Sequence, residues 1–222
     1  MRLFERLNRD LYCRFGKRII DTGISAVGLI VLAPLLFATA LAIRIVMGRP
    51  VLFRQARPGL NERVFELIKF RTMSDQRDSC GQLLPDAARV TWIGSLLRAT
   101  SLDEVPELWN VLKGEMSLVG PRPLLVEYLP YYSSREQKRH SVRPGITGLA
   151  QVSGRNDTTW RQRLDHDVDY VDNFSLILDF QIIVKTIFTI LRGDGGIAPI
   201  EKLGRFRGSG GDVKCDVGAS KT

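Results

Sequence analysis

Cysteine and histidine are scarce. Cys13, Cys80 and Cys215 are odd in number and widely spaced, no pair has CxxC spacing, and His140 and His166 are the only histidines. That pattern excludes a disulfide framework and a zinc site, and reduced thiols fit a cytosol-facing protein. Zinc-finger spacing, a helix-turn-helix pattern and an RNP-like aromatic run are also missing, so the chain has no means of reading bases and no nucleic-acid partner is expected. There is no internal repeat. Acidic residues are outnumbered, 24 against 32 Lys and Arg, for a net charge of +8. With nucleic acid set aside, that surplus points to an anionic membrane surface or a phosphate-rich substrate. Apolar residues are plentiful: 44% of 222 residues is enough to bury a sizeable core in one main domain with attachments.

Arg2, Arg6, Arg9, Arg14, Lys17 and Arg18 are interleaved with Leu3, Phe4, Leu7, Leu11, Tyr12 and Phe15, a basic amphipathic leader suited to an anionic membrane. Thr22 to Ile43 then carries no charge and is long enough to cross a bilayer core as a helix. A cleavable signal peptide fits poorly, because the leader is long and the apolar run exceeds a usual signal core. Arg44, Arg49, Arg54 and Arg57 follow the run as densely as the leader precedes it, so both flanks look cytoplasmic. Pro34 sits near the middle, where it removes a backbone hydrogen bond. It is the candidate membrane break of a re-entrant segment, with a kinked spanning helix as the alternative.

Pro50 to Gln55 and Arg63 to Arg71 read as two strands around the turn Pro58-Gly59-Leu60-Asn61. Lys69 and Arg71, two apart, are expected on one strand face, where a phosphate could sit. Ser74 to Ala87 is a polar loop, and Trp92 to Leu97 resumes a buried character.

Ser101-Leu102-Asp103-Glu104-Val105-Pro106-Glu107-Leu108-Trp109-Asn110 joins a helix-start signal to two adjacent carboxylates. Ser101 and Glu104 have capping-box spacing, which puts Asp103 in a first helical turn where the helix dipole favours its ionised form. An ionised carboxylate there can attack phosphorus or hold a divalent metal; ordinary acidic capping is the commonplace reading of the same residues. Pro106 leaves the helix start open between Ser101 and Glu104. Val105, Leu108 and Leu112 form the expected buried stripe, with Asp103, Glu107 and Asn110 on another face.

Gly114 ends that helix. Pro121 and Pro123 bracket Arg122 and present it from a stiff segment. Leu124 to Lys138 has helical character, and Arg143 to Arg155 is a glycine-punctuated loop, either a plain turn or an amide cradle for an anion. Trp160 to Asp172 is an acidic helix containing Asp165, His166, Asp167 and Asp169. Phe174 to Leu191 is apolar but interrupted by Asp179 and Lys185, as in a buried or interfacial helix. The tail from Gly204 is rich in glycine and charge.

In this order, Lys17-Arg18-Ile19-Ile20-Asp21 leading into the Pro34 helix, Lys69-Phe70-Arg71-Thr72-Met73, Ser101 to Asn110, Gly120-Pro121-Arg122-Pro123 and Pro144-Gly145-Ile146-Thr147-Gly148 resemble the bacterial sugar transferase family, the small monotopic phosphoglycosyl transferases. The resemblance covers most of Lys17 to Gly195. It implies transfer of a sugar 1-phosphate from a UDP-sugar to a membrane polyprenol (undecaprenyl) phosphate, with release of UMP, at the cytoplasmic face of a bacterial inner membrane. It implies Asp103 as nucleophile and metal ligand, Glu104 as its partner, and Mg2+ as cofactor. Lys69, Arg71, Arg98, Arg122 and Arg155 are the cations it places around the phosphates. The expected fold is α+β and mostly helical: a re-entrant membrane helix within residues 1–48, a small β-hairpin and interfacial amphipathic helices around the catalytic helix in 49–195, and a flexible tail at 196–222. A multi-span transferase is excluded by the single membrane-length segment, and a non-catalytic membrane scaffold is the alternative. The sugar, the pathway and the oligomeric state, a homodimer included, are not written in the chain.

Overall fold

The first helix, α1 (Lys17–Met47), takes up the whole charge-free run with Pro34 inside it, about 46 Å of helix at 1.5 Å per residue. In the computed structural model, which describes Tyr12, residues 16–153 and 159–192, Phe206 and Gly208, this helix buries only Asp21, Ser25, Thr39 and Ile43. The residues between stay open: Val27, Ile30, Val31 and Phe37 are all more than 60% exposed. It is one helix long and apolar enough to cross a membrane.

Both ends of α1 are fastened to the rest of the chain. At the N-terminal end, Lys17 pairs with Asp179 (2.5 Å), Arg18 donates to the carbonyls of Val111 and Leu112, and Asp21 accepts from the Ser117 hydroxyl at 2.6 Å. At the C-terminal end, Ile43 packs with Phe70, Ile93 and Leu97. The Arg71 guanidinium donates to the carbonyls of Met47 and Arg49, closing a helix end that would otherwise leave acceptors unmatched.

After a cis Arg49–Pro50 bond the chain forms the expected hairpin, β1 (Leu52–Pro58) against β2 (Val64–Phe70), antiparallel with Leu52 opposite Phe70 and Pro58 opposite Val64. The first strand runs three residues past the expected Gln55, and Asn61 and Glu62 make the turn with φ of 52° and 62°. Beyond the polar loop come α2 (Asp86–Arg89), α3 (Trp92–Ala99) and α4 (Glu107–Lys113). The stretch from Trp92 to Leu97 is only half inside: Ile93, Gly94 and Leu97 are buried, while Trp92 is 70% exposed.

A second sheet, absent from the sequence reading, pairs β3 (Ser117–Val119) in parallel with β4 (Gly145–Thr147). It explains the glycines. A Cβ on Gly145 would stand 2.1 Å from the Gly120 nitrogen, so the two segments approach as only glycine allows. The Gly145 amide donates to Pro121 O and the Gly120 amide to Thr147 O, so these amides are spent on the sheet and not on an anion. The expected helix over Leu124 to Lys138 is broken instead into a 3-10 turn (Val126–Tyr131) and the short α5 (Ser134–Gln137), because Pro130 cannot continue an α-helix.

After α6 (Leu149–Ser153), α7 (Trp160–Asn173) and α8 (Leu176–Leu191) lie where the pattern put them, opened by Thr159 and Ser175 caps. Helix α8 buries Asp179 and Ile182 and leaves Ile177, Phe180 and Leu191 at 65% exposure or more. Phe206, from the segment expected to be a tail, is buried with Tyr128, Tyr132 and Leu164.

Candidate active site

Helix α3 stops at Thr100, and Ser101 adopts a left-handed φ of 56° that turns the chain into a 3-10 turn, Leu102–Glu104. A non-glycine residue in that region carries strain, here directly ahead of the two carboxylates. The expected capping box does not form: Ser101 makes no side-chain cap. The Glu104 carboxylate turns instead to Lys69 Nζ and Arg122 Nη2, each at 2.6 Å, because two charge-assisted bonds outweigh one amide. Asp103 also lies before α4 rather than in its first turn, since the α-helix proper opens after Pro106, where the missing N–H costs nothing. Positive potential at Asp103 comes from Lys69, Arg122 and Arg98 rather than from the end of a helix.

The expected stripe of Val105, Leu108 and Leu112 is only half-buried, and the polar face of α4 lies deeper. Glu107 and Asn110 are buried along with Val111, while Trp109 is 52% exposed. The reason is β2: Asn110 Oδ1 accepts from the Ile68 amide (3.1 Å) and its Nδ2 donates to Glu66 O (2.7 Å), so the polar face completes the strand's edge. Glu107, 2% exposed in its side chain, stands 3.0 Å from Lys69. Lys69 is thus shared by two carboxylates.

Burial opposes the charge of Glu104, but Arg122 and Lys69 prevail and hold it down at about 2. Burial and the neighbouring Glu104 charge push Glu107 up to about 7, against Lys69. Arg122 is raised above its ordinary value because Glu104 overcomes the effect of burial. Asp103 is raised by burial and by Glu104, with Lys69, Arg122 and Arg98 offsetting in part. Unlike Glu104, the Asp103 carboxylate has no hydrogen bond or ion pair among the described residues, so its oxygens are free to act.

Of the cations named from sequence, Lys69 and Arg122 meet at Glu104, and Arg98, whose Nε donates to Thr72 Oγ1 at 3.0 Å, lies within electrostatic reach of Asp103. Arg71 is apart from them, only 7% exposed and turned to Met47, Arg49 and Asp75; it and Lys69 do not converge. Arg155 lies outside the described residues. Sequence reasoning missed a buried pair beside the site: Arg139, 3% exposed, bonds Asp167 through Nε (3.1 Å) and Nη2 (2.7 Å) and the Tyr132 hydroxyl through Nη1. Its Nη2 also donates to the Arg122 carbonyl at 2.6 Å, which pins the segment that presents Arg122. The acidic run in α7 was visible, but nothing local ties Asp167 to a residue 28 positions earlier.

A turn bearing two adjacent carboxylates, one locked between a lysine and an arginine and one free, in a chain with a long apolar helix, has the charges to engage a phosphorylated group near a membrane. The bacterial sugar transferase family model matches residues 12–193, and the chain belongs to that family. It is 48% identical over 179 residues to an uncharacterized sugar transferase, EpsL, of Bacillus subtilis (strain 168), covering 81% of this chain and 89% of the relative. It is 42% identical to a UDP-glucose:undecaprenyl-phosphate glucose-1-phosphate transferase of Caulobacter vibrioides, over 80% of this chain and 70% of the relative. Against the exopolysaccharide production protein ExoY of Sinorhizobium fredii it is 39% identical, over 78% of this chain and 84% of the relative. The protein is a sugar transferase.

Proposed function

We propose that this enzyme moves a sugar 1-phosphate from a UDP-sugar to undecaprenyl phosphate, releasing UMP, as the first membrane step of glycoconjugate assembly. The observation that carries the reading is the contrast at the dyad: Glu104 is fixed by Lys69 and Arg122 while Asp103 beside it is unpaired. The relatives named as undecaprenyl-phosphate sugar-phosphate transferases supply the substrate class. An Asp103 oxygen attacks the sugar-linked phosphorus, and the bond from that phosphorus to the bridging oxygen breaks, its electron pair leaving with UMP. The product is a phosphosugar on the Asp103 carboxylate. An oxygen of undecaprenyl phosphate then attacks the same phosphorus and Asp103 leaves as carboxylate. Lys69 and Arg122 face the charge that builds on the phosphoryl oxygens, already oriented by Glu104. A scaffold would have no use for this arrangement.

Among the described residues no three His, Cys, Asp or Glu side chains gather as a metal cage. Magnesium fits nonetheless, because it binds through one or two carboxylates with substrate phosphates and water, and Asp103 offers one uncommitted carboxylate. When bound, Mg2+ would offset the repulsion between that carboxylate and a diphosphate.

A re-entrant α1 is the membrane arrangement we favour. Its two ends, at Asp21 and Ile43, are both buried against the folded body with Pro34 between, and this supports a helix that enters and leaves on one side of the bilayer. The cytoplasmic side is the one where UDP-sugars are found, and the exposed apolar residues of α8 suit the headgroup boundary. The test is trapping: labelled UDP-sugar without acceptor should leave sugar phosphate on the Asp103 peptide, and Asp103→Asn should neither label nor turn over. Label on another residue, or turnover undiminished by EDTA, would contradict the scheme at the nucleophile or at the metal respectively.

A further inference from the structure

Arg57, near the end of β1, is a cation the dyad does not use. Its Nη1 donates to Pro123 O (3.2 Å), its Nη2 to Gln55 Oε1 (2.6 Å), and its Nε is buried with no partner. Among the described residues no carboxylate stands within ion-pairing distance of it. The Pro123 bond seats this guanidinium on the very segment that presents Arg122.

Two guanidinium groups held on one short segment, with Glu104 on only one of them, leave a surplus of positive charge. Burial and the Arg122 charge together push Arg57 down to about 10, and the same two causes lower Arg163 on α7. Arg139 is nearby but already neutralised by Asp167. Like charges gathered out of water cost free energy, and an anion set between them recovers it. The order in space is equally informative. Arg122 bonds Glu104, the neighbour of the nucleophile, at 2.6 Å, and the carbonyl of the next residue, Pro123, seats Arg57 at 3.2 Å. The contacts therefore run from the dyad through Arg122 to Arg57.

A diphosphate presents two charged phosphates in tandem, and this row offers them two guanidinium groups in tandem. On the reading of the reaction given above, we infer that Arg57 contacts the substrate: with Arg122 it forms a clamp in which Arg57 holds the nucleoside-side phosphate, the one that departs. Arg122 serves the phosphorus that Asp103 attacks. Nothing in β1 marked Arg57 for this, because in the sequence it is one of four arginines following the apolar run.

The experiment uses the full chain in detergent micelles, with UDP as a competing probe and UDP-sugar and undecaprenyl phosphate as varied substrates. Arg57→Gln should weaken UDP binding at least tenfold and raise the KM for UDP-sugar in step, with the KM for undecaprenyl phosphate unchanged. Arg57→Lys keeps the charge but not the planar fork and should fall between. If Arg57→Gln does not fold, Arg57→Lys carries the test, with a severalfold loss expected for UDP alone. UDP affinity within twofold of wild type in both variants, or equal losses for both substrates, overturns the clamp. Asp103 labelling in the wild type under that outcome leaves the transfer reaction standing; a wild type that binds no UDP overturns both.

Discussion

Replacing Asp167 by Asn tests how the site is held from behind. Arg139 and Asp167 are 3% and 4% exposed, so the pair is desolvated, and removing one charge leaves the other buried without compensation. Such breaks cost about 3–5 kcal/mol, and because Asn keeps one acceptor oxygen for Arg139, the lower end applies, about 3 kcal/mol. In a chain of this length each kcal/mol moves Tm by about 2–4 °C, so Asp167→Asn should melt about 6–12 °C lower in micelles. The activity effect has a separate cause. Arg139 Nη2 also holds the Arg122 carbonyl, and loosening that bond by an ångström costs on the order of a hundredfold in rate. The double variant Arg139→Met, Asp167→Leu separates the two, because an apolar pair can replace a buried ion pair without loss of stability. It should recover most of the Tm while kcat stays low. A Tm for Asp167→Asn within 1 °C of wild type would show that the pair is not desolvated, and wild-type kcat in the double variant would show that Arg139 does not position Arg122.

His140, buried beside Arg139, is held down at about 4 by its burial and by that guanidinium, against the ordinary 6.5, with a Glu62 carboxylate oxygen 3.8 Å away. As pH falls the unfolded chain takes the proton first, so stability is full above about 6.5 and up to about 3 kcal/mol is lost on the way to 4; His140→Gln should flatten that slope in denaturant titrations, and an unchanged slope would refute it. Single cysteines at Asn8 and Gln76 in a cysteine-free background should both be protected from an impermeant thiol reagent until cells are lysed, whereas labelling of position 8 alone in intact cells means that α1 spans the bilayer.

The long elements were legible because their information is local. A charge-free run of membrane length, alternation around a proline-glycine turn, and Thr159 and Ser175 ahead of helical patterns each mark an element from within. The dyad was legible for the same reason, as two adjacent carboxylates. What the chain does not display is pairing at a distance. Arg71 looked like a phosphate ligand beside Lys69, yet it closes the end of a helix 24 residues earlier. The parallel sheet of Ser117–Val119 and Gly145–Thr147 is too short for alternation to signal, and its glycines, which read as a plain turn or an anion cradle, serve the close approach of two strands.

Helix α4 shows why such misreadings gather at a site. Periodicity sets the polar face opposite the apolar stripe, and in a seven-residue helix next to an edge strand it is the polar face that is drawn deepest inside. The Ile68 amide and Glu66 carbonyl of β2 need partners, and Asn110 supplies them from a fully buried position. Glu107, one turn earlier on the same face, is then carried inward and meets Lys69. Lys69 reaches Glu104 from there, and Glu104 in turn holds Arg122. The polar inner face of a short helix thus fixes both cations beside the two carboxylates, and that chain of contacts, rather than the dipole of a helix, supplies the positive potential at Asp103.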